Sequence, residues 1–216
     1  MKAAVFDFNG TLFLDHDKHV KAWSAISMDL RGRPITEEEL HTQMNGIPNA
    51  QLLDWMTQRK LEPEESDRLS RLKDAYYRQF CLEDPENLHL IAGTEELFDW
   101  LKEKGVPFTI ASASIQDNMD FFVKTFGLDK WIDPKNIVFD DGTYADKKEM
   151  FAKCCQILNT KMKDLTILED SYAGIACALE CGCQDVRVIN SGHMDPKSLQ
   201  DPGITQVCMD MTEIKR

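Results

Sequence analysis

From Asn87 onward, short apolar runs alternate with stretches of helical periodicity, and this alternation restricts the possible folds more than any other feature of the chain. Gly93-Thr94 opens a helix that runs to Lys104 and stops at Gly105. Pro107–Ala111 reads as a strand, Asp117–Phe126 as a helix ended by Gly127, and Asn136–Phe139 as a strand. Lys147–Leu158 predicts a helix, Leu165–Leu168 a strand, Ser171–Glu180 a helix and Val186–Ile189 a strand, with Gln206–Met209 as a last edge strand. Strands separated by helices cannot close as hairpins, so they run parallel in a sheet covered on both faces. The expected class is α/β, a Rossmann-like parallel sheet. The first strand stands far upstream: Ala3–Phe6 is an apolar run that ends at Asp7.

Between that strand and Asn87 the chain is helical and strongly charged. Ala22, Trp23 and Ile26 share one helical stripe; Pro34 and Thr36 followed by three glutamates start a second helix. Asn45–Asn49 reads as a loop, Ala50–Gln58 as a short helix, and Pro63–Phe80 as a longer one with Leu69, Leu72, Ala75, Tyr76 and Phe80 as its apolar face. Four helices inserted after the first strand predict a small bundle, giving a core of residues 1–14 and 88–216 and a helical cap of residues 15–87.

Composition excludes several partners. With 37 acidic against 25 basic residues the formal net charge is -12, which repels nucleic acid and anionic membrane. No apolar run approaches the roughly 20 residues that span a bilayer, and Met1-Lys2 leads straight into a strand, so the expected location is cytoplasmic, as a monomer or weak dimer. Seven cysteines without a C-x-x-C pair read as free, mostly buried thiols rather than a metal cluster.

The chemistry gathers at strand ends. Asp7, Ser112, Lys147 and the pair Glu169-Asp170 each stand just after a strand or just ahead of a helix, and parallel strands bring such positions to one edge of the sheet. Gly10 allows a tight turn, and the N–H groups beyond it, at Thr11 and onward, can cradle an anion. A carboxylate nucleophile, a hydroxyl, an ammonium and an acid pair suit phosphoryl transfer, in which spread negative charge needs a metal, a cation and fixed donors.

On these residues the chain resembles the phosphotransferases of the haloacid dehalogenase superfamily, and within them the β-phosphoglucomutase subgroup. Leu168–Ala176 is similar to the fourth motif of that family, Ala111-Ser112-Ala113-Ser114 to the second, and Asp146–Phe151 to the third; His19-x-x-Ala22-Trp23 resembles the first cap helix of the subgroup. The resemblance implies that Asp7 attacks phosphorus to form an aspartyl-phosphate. It implies Mg²⁺ held by the Asp7 carboxylate, the backbone carbonyl of Asn9 and the Asp170 carboxylate, with Glu169 binding it through water or orienting it. Ser112, with Ala113 beside it, would meet the phosphoryl oxygens, Lys147 would neutralise them with Lys148 as the fallback, and His19 and Lys73 would serve substrate from the cap. The expected activity is hydrolysis of a small phosphorylated metabolite such as a sugar phosphate; the alternatives are a phosphomutase and a nearly inert phosphate-binding protein.

Two departures from the family pattern bear on activity. The second Asp of the family's first motif, its general acid and base, is here Asn9, which cannot exchange a proton near neutral pH. Asp15, His16 and His19 are the replacement candidates, His19 being chemically the best suited. In the cap, Gly46-Ile47-Pro48-Asn49 lacks the arginine that would clamp a second phosphate, and no lysine for a phosphonate-cleaving Schiff base occurs between Gln43 and Gln58.

Overall fold

The computed structural model describes residues 1–36, 38–40, 49–192 and 194–216. The chain divides into two compact units, residues 1–14 with 89–216 and residues 15–88.

The first unit is built on strands β1 (Ala3–Phe6), β2 (Phe108–Ile115), β3 (Val138–Asp140), β4 (Leu165–Glu169), β5 (Asp185–Ile189) and β6 (Ile204–Cys208). Among the described residues they form one six-stranded sheet in the order β3-β2-β1-β4-β5-β6, with each neighbouring pair parallel. Numbering the helices along the chain, α4 (Thr94–Glu103), α5 (Gln116–Phe126), α6 (Lys147–Ile157) and α7 (Tyr172–Glu180) belong to this unit. Every residue of β1 is buried, as a central strand covered on both faces requires. Ala3 and Val5 pack with Ile167, Val186, Val188 and Phe151 in one core cluster. The alternate residue Phe6 meets Phe98 of α4 edge-on at 5.0 Å, and Phe8, just past the strand, stacks on Phe122 of α5 at 4.1 Å. The chain order reverses beside β1, where β2 lies on one side and β4 on the other, and crevices at such points are where ligands bind.

Two boundaries differ from the sequence expectation in ways that matter. β2 continues to Ile115, so Ser112 lies inside the strand rather than after it, paired with Phe139. Between Ser112 and Ile115 the register with β3 slips, three residues opposing one step of the partner, and such bulges re-aim side chains. β4 likewise includes Glu169, leaving Asp170 as the first residue beyond it.

The second unit contains α1 (His16–Arg31), α2 (Asn49–Thr57) and α3 (Pro63–Leu82), packed around Trp23, Ile26, Leu52, Leu53, Met56 and Leu69. Thr36 and Glu39 make a reciprocal cap, the Glu39 N–H donating to Thr36 Oγ1 at 3.2 Å and the Thr36 N–H to Glu39 Oε2 at 3.0 Å. The rest of the second helix expected from the sequence lies outside the described residues, as does most of the expected loop at Asn45–Asn49, including the position without arginine. The buried face of α3 is Leu69, Lys73, Asp74, Tyr77 and Cys81, and Ala75 is exposed. The stripe is thus turned from the apolar one expected, because Lys73, Asp74 and Tyr77 find polar partners that make their burial tolerable.

Candidate active site

Asp7 is the first residue past β1, its N–H still bonded to the Leu168 carbonyl at 2.9 Å in continuation of the β1–β4 ladder. The sheet therefore fixes its backbone, and its side chain is almost fully buried. Lys147 reaches it from the first position of α6, whose start is set by the Asp146 carboxylate accepting from the N–H of Lys148 at 2.8 Å and of Glu149 at 3.3 Å. Lys147 Nζ stands 2.6 Å from Asp7 Oδ1 and also donates to Glu169 Oε1. Lys148 points elsewhere, to the exposed Glu180 and Asp146 carboxylates. One residue of register separates a buried site cation from a surface one.

Glu169 is wholly buried at the end of β4. Its Oε2 accepts from the N–H of Asp170 at 3.1 Å, the N–H of Ser171 at 3.1 Å and Ser171 Oγ at 2.9 Å, and the same hydroxyl accepts from the Gly174 N–H as the cap of α7. A Cβ at Gly174 would overlap the Glu169 carboxylate, and one at Gly10, where φ is +79°, would overlap that of Asp170. Both glycines allow close approach, and Gly10 also allows the turn. Thr11 is fully buried with its hydroxyl donating to Asp170 Oδ1 at 2.9 Å, so its side chain orients that carboxylate.

Asp7, Glu169 and Asp170 each offer an oxygen within 4.8 Å of the others. Burial pushes the Asp7 carboxyl well above the usual range; Lys147 pulls it down, while Glu169 and Asp170 push it up again. Burial disfavours the Lys147 ammonium, yet the two carboxylates it touches win and hold it protonated. Three acids facing one ammonium leave an excess of negative charge that a small hard cation with oxygen ligands would neutralise, so the donor set fits Mg²⁺.

The bulge of β2 delivers the remaining polar groups. Ser114 Oγ donates to Asn9 Oδ1 at 2.7 Å, Ser112 Oγ lies 3.4 Å from the same oxygen, and the Ser114 N–H donates to Ser112 Oγ at 3.2 Å. Ala113, between them, is exposed. Ser114 was not among the expected site residues; the second serine of Ala-Ser-Ala-Ser was the signal that could have found it. Ser171 was missed as well, although its place before a helix marks it as a cap.

In the second unit His19 and Lys73 lie together. Lys73 is buried, with Nζ 3.0 Å from His19 Nδ1 and 3.0 Å from Asp74 Oδ1, and it sits 5.5 Å from the centre of the Trp23 ring. The usual expectation for a lysine on a charged helix, exposure, is not met here. An ammonium can only donate, so His19 Nδ1 accepts and the ring proton sits on Nε2, 3.2 Å from Asp15 Oδ2. Tyr77 donates to the same Asp15 oxygen at 2.5 Å and stacks on His19 at 4.2 Å.

The profile of the haloacid dehalogenase-like hydrolases matches residues 1–182. The chain belongs to this family. A haloacid dehalogenase hydrolase of family IA, variant 3, from Entamoeba histolytica has a solved structure that superposes with a TM-score of 0.92 at 29% identity, covering 100% of this chain and 96% of that one. The validoxylamine A 7'-phosphate phosphatase of Streptomyces hygroscopicus subsp. limoneus is 23% identical over 214 residues, 99% of this chain and 96% of that protein. CbbY from Rhodobacter sphaeroides, solved in complex with phosphate, shares the fold at 17% identity with a TM-score of 0.76, over 99% of this chain and 96% of that one. As a family member this chain is a hydrolase with a Rossmann-like core, and no helix among its described residues is long and apolar enough to cross a membrane.

Proposed function

We propose that the chain is a Mg²⁺-dependent phosphohydrolase of small phosphorylated metabolites that works through an aspartyl-phosphate on Asp7. The observation that carries this reading is the group formed by the buried Asp7 and Glu169 and the half-buried Lys147 and Asp170, where the ends of β1 and β4 meet the start of α6. Lys147 occupies Oδ1 of Asp7, so Oδ2 is the attacking atom. The same ammonium faces the charge that develops on the transferred phosphoryl group. Glu169, with both oxygens engaged, keeps Lys147 in place. Ser112 and its neighbour Ala113 would meet the phosphoryl oxygens. Mg²⁺ would be held by Asp7, Asp170 and the Asn9 carbonyl, and when bound it supplies charge neutralisation between nucleophile and phosphate. Because the Streptomyces relative is named for a small phosphorylated molecule, small phosphorylated metabolites, sugar phosphates among them, are the natural first panel, with His19 and Lys73 as the proposed substrate-binding residues of the helical unit.

The test has two arms. Mg²⁺ at 100 times its dissociation constant should stabilise the chain by about 2.7 kcal/mol in thermal unfolding, and Asp170→Asn should abolish most of that gain. Asp7→Asn should eliminate phosphate release from every substrate that the unmodified chain hydrolyses. Metal-independent unfolding, or activity that survives Asp7→Asn, would remove the reading.

A further inference from the structure

The helical unit holds a cavity that the proposed reaction leaves unused. Its volume is about 640 Å³, inside the range of roughly 300–1,000 Å³ found for small-molecule sites. It lies where α1 and α2 end: Leu30 and Arg31 close α1, Trp55 and Met56 belong to the last turn of α2, and Arg33, Glu39 and Arg59 follow those helices. At about 1.5 Å per residue, Leu30 stands roughly 17 Å along α1 from His19, well away from the contact of His19 with Lys73.

Among the described residues, three guanidinium groups and one carboxylate line the cavity, an excess of positive charge in a chain whose formal net charge is -12. Arg31 is largely buried and engaged: Nε and Nη2 donate to Ser27 Oγ at 2.9 and 2.6 Å, Nη1 donates to Glu39 Oε1 at 2.9 Å, and the guanidinium carbon lies 4.8 Å from the centre of the Trp55 ring. Arg33 also donates to Glu39, from Nη2 at 2.6 Å and from Nη1 at 3.0 Å, so both oxygens of that carboxylate are bound. Arg59 is half exposed, and its side chain makes one hydrogen bond among the described residues, from Nη2 to Glu65 Oε1 at 2.7 Å, while Asp54 and Glu62 act on it through space. An exposed pair of this kind contributes little, so an incoming anion can share that guanidinium, with Nε and Nη1 as donors.

Gln58, also in the lining, stands apart in its backbone. It ends α2 at a φ of +53°, in the left-handed region where glycine is usual, its N–H bonded to the Trp55 carbonyl at 3.3 Å and that of Arg59 to the Asp54 carbonyl at 3.3 Å. A side chain kept at such a position carries strain, which tends to gather at ligand clamps. Its carboxamide can donate and accept.

Arg33 and Arg59 come from different segments, so together they suit a group with three oxygens better than a carboxylate, which a single guanidinium fork fills. The Trp55 ring and the guanidinium plane of Arg31 are flat surfaces of the kind on which bases stack. We propose that this cavity is a binding site for a nucleoside monophosphate, with the phosphate between Arg33 and Arg59, the base against Trp55 and Arg31, and Gln58 hydrogen-bonding the nucleoside.

The test follows the fluorescence of the four tryptophans without Mg²⁺, using AMP and UMP as probes and inorganic phosphate and adenosine as the separate halves. AMP or UMP should quench the unmodified chain and Asp7→Asn alike, with phosphate and adenosine binding at least about tenfold more weakly. Arg33→Gln and Arg59→Gln should each weaken the nucleotide about ten- to a hundredfold, the usual contribution of a hydrogen bond between charged groups. Trp55→Phe keeps a ring, so calorimetry should still detect the nucleotide while the quenching disappears. Gln58→Gly should raise the melting temperature by relieving the left-handed residue and yet weaken the nucleotide, a combination that a purely structural residue would not give. Quenching by neither nucleotide, quenching that survives Trp55→Phe, loss of binding in Asp7→Asn, or an affinity unmoved by both arginine variants overturns the site. Inorganic phosphate that binds as tightly as AMP overturns the nucleotide assignment, and an unchanged affinity in Gln58→Gly removes Gln58 from it.

Discussion

Replacing Gly174 by alanine should destabilise the sheet-bearing unit, against the ordinary rule for helices. Gly174 lies in α7, and an alanine inside a helix is normally favoured over glycine by about 1 kcal/mol. Here the added Cβ would fall closer than 3.0 Å to the carboxylate carbon and both oxygens of Glu169. That side chain has no exposed route of withdrawal, being wholly buried and tied to two backbone N–H groups, a hydroxyl and Lys147. Hydrogen bonds to charged groups contribute roughly 1.5–3 kcal/mol each, so giving up two of them costs about 3–6 kcal/mol. Subtracting the helix gain leaves a net loss of about 2–5 kcal/mol. Urea unfolding followed through the transition of this unit measures it. In a Glu169→Ala background the obstruction is gone, and Gly174→Ala should return to mild stabilisation, so the double-mutant cycle isolates the contact. A higher urea midpoint for Gly174→Ala in the unmodified background would refute the reasoning.

Lys147→Met should reduce turnover by about 10²–10³-fold, the usual cost of removing a donor that faces developing charge, whereas Lys148→Ala should stay within a few fold; equal losses in paired steady-state assays would mean that the site cation is misassigned. Asp185 gives a stability prediction in acid. Burial raises its carboxyl, but Arg187, Thr166 and Thr205 outweigh that and hold it below the ordinary value. A folded value below the unfolded one stabilises the chain above about pH 3.9, and the contribution is lost as the pH falls through the folded value. Asp185→Asn should therefore flatten the acid limb of a plot of urea midpoint against pH, and an unchanged limb would count against this pairing.

Much of this was legible in the chain before any coordinates. The alternation after Asn87 fixes a parallel sheet, since helical crossovers leave no other pairing, and Asp7 at the end of an apolar run predicts its place at a strand tip. Lys147 could be separated from Lys148 only by the cap at Asp146, whose side chain sets where α6 begins. The bulge after Ser112 was not legible, because a register slip is decided by the partner strand and leaves no local pattern. The second serine of Ala-Ser-Ala-Ser marks Ser114, but only the bulge shows that its hydroxyl reaches Asn9. The buried face of α3 was misplaced because periodicity counts apolar residues, while Lys73 and Asp74 are carried inward by ion pairing that a one-dimensional pattern does not record.

The place of β1 in the sheet also has a consequence for how the protein is made. β1 leaves the ribosome well before either of its neighbours, one of which begins at Phe108 and the other at Leu165. At about 5–20 residues per second, β1 waits roughly 8–33 seconds after its own synthesis for its second flank. The helices of residues 15–88 emerge meanwhile and have local partners in one another. Asp7, Lys147 and Asp170 therefore come together only once β4 has been made, long after Asp7 itself. A nascent chain stopped before β4 carries Asp7 without the acids that accompany it, so the site cannot form until β4 has been synthesised.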